Sequence, residues 1–372
     1  MRVCYHPLIS PGLGVAREIT SYHFGLAGSG KKVYIQSSLH ADELPGMLVS
    51  WQLRQTLAQL EAQGLIIGEV VLVPVANPIG LSQQVLRQSM GRYDLDSGED
   101  FNRGFEDLSR SLIDVVKDRL TQSEAQNLQV IREAAKQILA KQTPEDELSS
   151  ARNILLSLLI DADVVLDLHC DWESVVHLYA NTDGWQTLAP LARYLESQVS
   201  LLAESSGGMP IDDSVLVLWS ALKEAFGDQY PIPNGVACAT IEHRGQRDTS
   251  YAYADKDAKA IVSYMVWLGV IKGEAPSMPD LPNPATPLAG SLPVKAVSSG
   301  VIVHLVAVGS QVKKNQALME VIDPHKSEVS TLYSPVDGVL YQRHFQRLAY
   351  PGMAIAYIAG VDAVRSGNLL IE

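Results

Sequence analysis

Positive charge is scarce in this sequence of 372 residues: 29 lysines and arginines stand against 42 aspartates and glutamates, and the net charge is −13. A general nucleic-acid binder needs a positive surface that displaces counterions, so we expect no nucleic-acid partner. Long apolar runs are missing as well. Spanning a bilayer takes about 20 apolar residues, and the best candidate, residues 263–271, is far too short. We therefore expect no membrane partner.

Cysteine is also rare. The three cysteines are too few and too scattered for a disulfide framework or a thiolate zinc site. The first residues carry no long apolar core after a basic start, so they do not resemble a signal peptide and we expect cytoplasmic residence. Apolar residues make up 47% and charged residues 19%. This composition is typical of a globular chain with one large domain and a smaller one.

Short β-branched runs alternate with stretches of helical periodicity through most of the chain. The predicted strands lie at residues 33–35, 70–75, 163–168, 175–179 and 236–241. Residues 44–60 carry apolar side chains at helical spacing. This alternation predicts an α/β fold with a mainly parallel or mixed central sheet flanked by helices. A polar stretch at about 105–150, poor in glycine and proline, predicts a helical insertion.

The composition changes after residue 272. Proline becomes frequent at residues 273–293, and because proline lacks a backbone donor and disfavours helix, we predict a linker there. Residues 294–372 show short strands separated by glycines, which is typical of a small all-β domain. The predicted organisation is therefore an α/β domain at 1–272, the linker, and an all-β domain at 294–372.

Two histidines and one glutamate are candidates for a metal site. His40 and Glu43 lie three residues apart at the start of the first predicted helix, so both side chains could reach one ion. His169 ends a strand, and α/β proteins bind ligands at the carboxyl ends of their strands. Together they form the two-His, one-carboxylate set of a catalytic zinc. Taken singly, each is also explained as a capping carboxylate or a strand-end histidine.

Further polar residues could supply chemistry around such an ion. Glu242 follows the strand at 236–241, and a carboxylate beside a zinc-bound water could take its proton and pass it to a leaving amine. Asn102 and Arg103, with Arg92 before them, offer donors for a substrate carboxylate, which arginine can bind in bidentate fashion. The alternative for these arginines is ion pairing with the acidic residues around them, and for Glu242 pairing with a nearby arginine.

The sequence resembles the succinylglutamate desuccinylase/aspartoacylase family, within the wider zinc-carboxypeptidase-like hydrolases, in the order of its candidate elements. The order is His40-x-x-Glu43, Asn77-Pro78, Arg92, Asn102-Arg103, Asp167-Leu168-His169 and Glu242. The resemblance covers roughly residues 30–250, and although each motif is short, their joint order is fairly specific.

The resemblance implies a role for each matching residue. The two histidines and Glu43 would bind one zinc ion per chain, and Glu242 would act as general base and acid. Arg92 would polarise the scissile carbonyl and stabilise the oxyanion. Arg103 and Asn102 would hold a substrate carboxylate. The implied reaction is hydrolysis of the amide bond in an N-acyl amino acid, an anionic small molecule.

The sequence departs from the family pattern at several positions. Ala41 stands where the family often has glycine, and Asp42 where it usually has asparagine, which adds a negative charge beside the site. Arg244 follows Glu242 closely and is a candidate for an extra anion contact. Cys170 should point away from the metal by strand alternation and be an inert thiol. His177, on the next predicted strand, is expected to be structural.

The C-terminal region has a resemblance of its own. Residues 299–318 and 334–340 look like the two halves of a biotinyl/lipoyl-type barrel-sandwich domain. The hairpin between them lacks the methionine-lysine context that a carrier domain requires. We therefore expect an unmodified structural module in which Lys326 carries no cofactor.

The leading hypothesis from the sequence is thus a zinc amidohydrolase. One alternative is a zinc carboxypeptidase that acts on short peptides. Another is a protein of a different class, which binds an acyl amino acid without consuming it. An acidic chain with an exposed helical insertion could also form a homodimer.

Overall fold

A computed structural model describes residues 1–367 and 369–370, and a sheet of nine strands forms the centre of this part of the chain. The strands up to residue 245 are Arg2–Pro7 (β1), Glu18–Gly25 (β2), Lys32–Ser37 (β3), Glu69–Val73 (β4), Gln84–Val85 (β5), Gln88–Ser89 (β6), Val164–Asp171 (β7), Glu173–Ser174 (β8), Val176–Asn181 (β9), Val199–Ala203 (β10) and Ala237–Gly245 (β11). The later strands are Thr286–Pro287 (β12), Ser291–Lys295 (β13), Gly300–His304 (β14), Gln311–Val312 (β15), Ala317–Asp323 (β16), Glu328–Tyr333 (β17), Gly338–Arg343 (β18), Leu348–Ala349 (β19) and Ala354–Ala359 (β20).

The strand order in the central sheet is β1-β2-β4-β3-β7-β11-β9-β10-β12. Strands β4, β3, β7 and β11 run parallel, β9 is antiparallel to β11, and the β1–β2 hairpin adds an antiparallel edge. The carboxyl ends of β3, β7 and β11 therefore meet at one edge of the sheet, where α/β proteins place their ligands.

Helices cover both faces of the central sheet. They lie at Leu44–Ala62 (α1), Pro78–Leu81 (α2), Ser109–Val116 (α3), Glu124–Leu139 (α4), Glu147–Leu159 (α5), Trp185–Tyr194 (α6), Ile211–Phe226 (α7) and Tyr251–Trp267 (α8), with a 3-10 turn at Leu288–Gly290. Apolar side chains of α1, α6 and α8 pack on one face, and those of α3, α4, α5 and α7 pack on the other. Because β3, β7 and β11 are buried on both faces, their sequences are nearly continuous apolar runs until each strand approaches its carboxyl end.

The C-terminal part is built from small antiparallel sheets. One has the order β13-β20-β18-β15 and another β17-β16-β14-β19. The short strand β8, directly after β7, pairs with β18, so the two regions are joined by backbone hydrogen bonds. Within the described residues, no helix is both long and apolar enough to cross a membrane.

The predicted fold class is confirmed as a mixed sheet flanked by helices with an all-β region after it. The sequence did not predict the β1–β2 hairpin or β10. It also did not predict that the proline-rich stretch contributes β12, which lies beside β10 at the edge of the central sheet. The insertion at about 105–150 contains α3 and α4 and the start of α5.

Candidate active site

Three buried side chains converge at the carboxyl edge of the sheet. Glu43 bridges two imidazoles, with Oε1 2.9 Å from Nδ1 of His40 and Oε2 2.8 Å from Nδ1 of His169. One ligand atom from each of the three residues lies within 4.8 Å of the others. Two imidazole nitrogens and a carboxylate that meet out of water form a donor set that zinc prefers, and these three residues could hold a metal ion.

Local backbone features bring the first two of these residues into place. Strand β3 ends at Ser37, and the next residue, Ser38, turns the chain with a left-handed φ of 64°. Glu43 is the N-terminal cap of α1, so its side chain lies where strand and helix meet. Gly46 lets the helix start close to β7, since a Cβ at this position would lie 2.6 Å from the carbonyl oxygen of Leu168.

The outer ring nitrogens of both histidines face carboxylates. Oδ1 of Asp100 lies 2.9 Å from Nε2 of His40, and Oδ2 of Asp167 lies 2.9 Å from Nε2 of His169. The first pair is a hydrogen bond that fixes the ring of His40, whereas the second is a close charge contact without hydrogen-bond geometry. Neither aspartate was predicted from the sequence as a site residue. A signal existed for Asp167, which lies two positions before His169 on a strand and hence on the same face.

The electrostatics of the set follow from these contacts. Burial alone would raise the pKa of Glu43, but the charges and hydrogen bonds of His40 and His169 outweigh it and hold that pKa well below its ordinary value. Burial likewise opposes ionisation of Asp100, yet its hydrogen bond with His40 keeps its pKa low. The pKa of His169 is raised despite burial, because Asp167 and Glu43 favour its charged form. The cluster thus attracts positive charge.

Removing the charge of Asp100 should weaken metal binding without removing a ligand. We expect Asp100→Asn to lower zinc affinity about 10- to 100-fold, the usual cost of losing an outer partner of a ligating histidine. Competition against a chromogenic chelator measures the affinity. Asp96→Asn is the matched control, since Asp96 is exposed in the same loop. Equal zinc affinity in the wild type and Asp100→Asn would contradict the role given to Asp100.

Glu242 lies next to the cluster on strand β11. In the sheet register it is opposite His169 on one side and His177 on the other, so the three form a row across β7, β11 and β9. The carboxyl group is buried, and its Oε2 has no hydrogen-bond partner among the described residues. Burial raises its pKa well above the ordinary value, and the charges of Asp171 and Glu43 add to the effect. Such a carboxyl group is suited to accept and return a proton.

Arg92 reaches the same cluster from the loop after β6. Its Nη1 is 3.7 Å from Oε1 of Glu43 and 3.4 Å from Nδ1 of His40, and its Nε is 3.4 Å from Oδ2 of Asp100. The side chain of Arg92 is partly exposed to solvent. Arg92 thus lies beside the candidate metal ligands, and its role as a donor to a reacting carbonyl stays a prediction.

Asn102 and Arg103 lie behind Asp100 in the same loop. Oδ1 of Asn102 accepts a hydrogen bond from the backbone N of Ile211, at 3.0 Å, and thereby ties the loop to the start of α7. The guanidinium of Arg103 donates to the carbonyl of Asn102 at 2.7 Å and to that of Leu370 at 3.0 Å. The predicted carboxylate contact of these two residues stays a prediction.

Arg244 is placed away from the site by a bulge in β11. The sheet register shifts between Glu242 and Gly245, and Arg244 has a left-handed φ of 67°. Its guanidinium binds Asp257 of α8 in bidentate fashion, at 2.7 and 3.0 Å, and lies over the ring of Tyr253. This corrects the expectation of an extra anion contact, because the bulge keeps the side chain on the α8 face. Arg244 acts instead as a structural ion pair.

Cys170 directly follows His169 and is buried. Burial raises the pKa of its thiol well above the ordinary value, and the charges of Glu43 and Glu242 add to this. A thiol that stays protonated is a poor nucleophile, which agrees with the expected inert role.

The fold and the site together define a class: an α/β protein with a candidate metal centre, flanked by a buried carboxyl group and an arginine, at the carboxyl edge of its sheet. The particular family follows from sequence comparison. The sequence model of one protein family, the succinylglutamate desuccinylase/aspartoacylase catalytic domain, matches residues 29–265, and the chain belongs to this family. The predicted resemblance is thereby confirmed. No curated protein matches the chain.

Solved structures share the fold along nearly the whole chain. A family protein from Shewanella amazonensis is 24% identical with a TM-score of 0.82, over 96% of this chain and 98% of that one. One from Shewanella frigidimarina is 22% identical with the same TM-score, over 96% and 97%. The product-bound ectoine utilization protein EutE (DoeB) from Ruegeria pomeroyi is 15% identical with a TM-score of 0.69, over 97% and 95%. At these identities the likeness concerns the fold.

Proposed function

We propose that the protein is a zinc-dependent hydrolase that cleaves the amide bond of an N-acyl amino acid. One observation carries the proposal: two imidazole Nδ1 atoms face the two oxygens of Glu43, and the unpartnered oxygen of Glu242 lies in the next strand of the same row. Membership in a family of desuccinylases and aspartoacylases supports hydrolysis as the reaction class.

The residues present fit a zinc ion. His40, Glu43 and His169 would hold it, and Asp100 would orient the imidazole of His40 through their hydrogen bond. A zinc ion with three protein ligands supplies Lewis acidity and lowers the pKa of a bound water from about 15.7 toward 7.

The protein's own groups would then move the proton. Glu242 would take it from the attacking water and deliver it to the nitrogen of the leaving amine, which must be protonated before it departs. Its buried oxygen, which has no hydrogen-bond partner in the described part of the chain, supports this role.

Arginines would handle the negative charges of the reaction. Arg92, beside His40 and Glu43, would donate to the oxygen of the scissile carbonyl as negative charge develops on it. Arg103 and Asn102 would hold a carboxylate of the substrate. Because Arg103 is bound to the carbonyl of Leu370, that contact would have to be exchanged for the substrate.

The proposal is tested by zinc content and a substrate screen on the same preparation. We expect about one zinc per chain by elemental analysis, and release of free amine from N-acetyl or N-succinyl amino acids. Release of amino acids from unacylated dipeptides instead would identify a carboxypeptidase. A zinc-loaded protein that binds acyl amino acids but leaves them intact would contradict catalysis and identify a binding protein.

A further inference from the structure

A segment after strand β20, the strap, runs from the all-β region to the candidate active site. It comprises residues 364–367 and 369–370. At its start, the backbone N–H groups of Val364 and Arg365 donate to the carbonyl oxygen of Ala289, at 3.1 and 3.0 Å. Ala289 lies in the 3-10 turn that leads into β13, so this end of the strap is held where the all-β region begins.

The far end of the strap is held by the loop before α7. The backbone N–H groups of Leu369 and Leu370 donate to the carbonyl oxygen of Ser206, at 3.0 and 3.3 Å. That loop is fixed in turn by Asp213 of α7, whose carboxylate accepts from the backbone N of Ser206 at 2.9 Å and of Gly207 at 3.0 Å. The strap therefore joins the all-β region to a loop of the α/β part of the chain.

Two contacts place the strap in the part of the candidate site that would receive the substrate. The carbonyl oxygen of Leu370 accepts a hydrogen bond from Nη2 of Arg103, at 3.0 Å. The side chains of both leucines pack on the same small core as Tyr179. Tyr179 lies two positions after His177 on β9, and His177 is opposite Glu242 in the sheet register. The ring of Tyr179 is therefore on the face of the sheet that carries Glu242.

The strap uses a donor that a substrate carboxylate would need. In the proposed reaction Arg103 holds this carboxylate, and here the carbonyl oxygen of Leu370 takes its place as acceptor. A guanidinium binds a carboxylate more strongly than a neutral carbonyl, because the charge of the acceptor strengthens the hydrogen bond. A substrate carboxylate can therefore displace the strap, and the two exclude each other at Arg103.

We propose that the strap is an autoinhibitory element, which closes the candidate site in the free protein and is displaced when the carboxylate of a substrate binds Arg103. This inference rests on the proposed function and concerns the regulation of the same site. The leucines of the strap are only half-buried, so we expect the segment to open locally at a small cost in free energy. Since only the open state binds substrate, the apparent affinity is lowered by the fraction of molecules that are open.

Replacing both leucines should release the strap within the full chain. We expect Leu369→Ser/Leu370→Ser to lower KM about three- to tenfold with kcat near the wild-type value, which corresponds to a wild type that is open in about 10–30% of molecules. Val361→Ser/Val364→Ser is the matched control, since both valines are exposed at or just before the start of the strap. An unchanged or higher KM, or a lower kcat, would overturn autoinhibition.

Trypsin cleavage after Arg365 measures the opening of the strap without turnover. The guanidinium of Arg365 donates to the carbonyl oxygens of Ser291, at 3.0 Å, and Leu369, at 2.6 Å, so cleavage requires its release. Each N-acetyl amino acid of the substrate screen is added, beside its uncharged carboxamide, to protein supplied with zinc. We expect at least one acid to speed cleavage about threefold or more, and its carboxamide to have no effect. Cleavage after Lys326, in an exposed hairpin, should not change and is the internal reference.

Arg103→Met tests whether the response depends on this arginine. The variant should be cleaved faster than the wild type without any addition, and the acids should have no further effect. Faster cleavage of the wild type with an acid, but no turnover of any acyl amino acid, would support the strap and overturn the hydrolase. No change in cleavage with any acid would overturn the strap, and turnover in the same samples would leave the hydrolase standing. A response to the acids that survives in Arg103→Met would also overturn the proposed competition.

Discussion

Glu242→Gln is expected to lower kcat by about 10²- to 10⁴-fold, the range for loss of a positioned general acid and base, while zinc content stays at the wild-type value. Glutamine keeps the size of the side chain but cannot accept a proton from water or return one to the leaving nitrogen. Glu242 is not among the three residues whose ligand atoms converge, so the metal should remain. Turnover by the zinc-loaded variants and elemental analysis of the same samples measure both quantities.

Thermal unfolding of the metal-free protein supplies the control for Glu242→Gln. Burial, followed by Asp171 and Glu43, raises the pKa of Glu242 in the folded chain. A carboxyl group whose pKa is higher in the folded state binds more protons there, so the free energy of unfolding falls as the pH rises above the ordinary pKa of glutamate. Glutamine is neutral at every pH, so the variant does not lose stability in this way. The variant should therefore melt at pH 7 no lower than the wild type. Near-normal turnover, with zinc bound, would contradict the role of Glu242.

The candidate metal ligands His40, Glu43 and His169 could be predicted because the sequence features that identify them are mostly local. His40 and Glu43 are three residues apart at a strand-to-helix junction, and His169 ends an apolar strand; both features can be read without knowing the rest of the fold. Parallel strands then bring their carboxyl ends to one edge. Glu242 was predictable for the same reason, since it also follows a buried apolar run.

Other parts of the site depend on long-range packing that no local pattern shows. Arg244 would return to the site face by simple strand alternation, but the bulge after Glu242 turns it toward Asp257, a residue of a later helix. The contact between Gln342 and Asp171 joins residues 171 positions apart. Asp100 is one of the acidic residues around Arg92 and does contact it, but its hydrogen bond with His40 appears only once the loop is folded.

The proline-rich stretch at residues 273–293 shows what composition can and cannot predict about strand pairing. Proline content predicts extended backbone correctly, because β12 and β13 both lie within or at the end of the stretch. Composition does not indicate whether extended backbone is free or paired. Here β12 pairs with β10, and Leu288 packs in a small core with Val339 and Tyr341 of the all-β region. A stretch expected to be only a linker therefore helps to join the two parts of the chain.

His169→Ala is expected to lower zinc from about one per chain to nearly none and to reduce turnover to background. Removing one of three ligands should cost more affinity than the about 10- to 100-fold loss for an outer partner. Saturating zinc should raise the melting temperature of the wild type, because an ion that binds only the folded state adds about 2.7 kcal/mol at a hundredfold excess over Kd. It should leave that of His169→Ala unchanged.

The matched control for His169→Ala is His243→Ala. His243 is also buried, lies on the neighbouring strand β11, and donates to a carboxylate, Asp257, at 2.8 Å, but on the α8 face. Its loss should destabilise the fold by about 1–3 kcal/mol because a hydrogen bond to a charged group is lost, although Arg244 still pairs with Asp257, and zinc should still raise the melting temperature. The pair thus separates loss of a ligand from loss of any buried histidine. A zinc response that persists in His169→Ala would place the metal elsewhere and remove the basis of the proposed reaction.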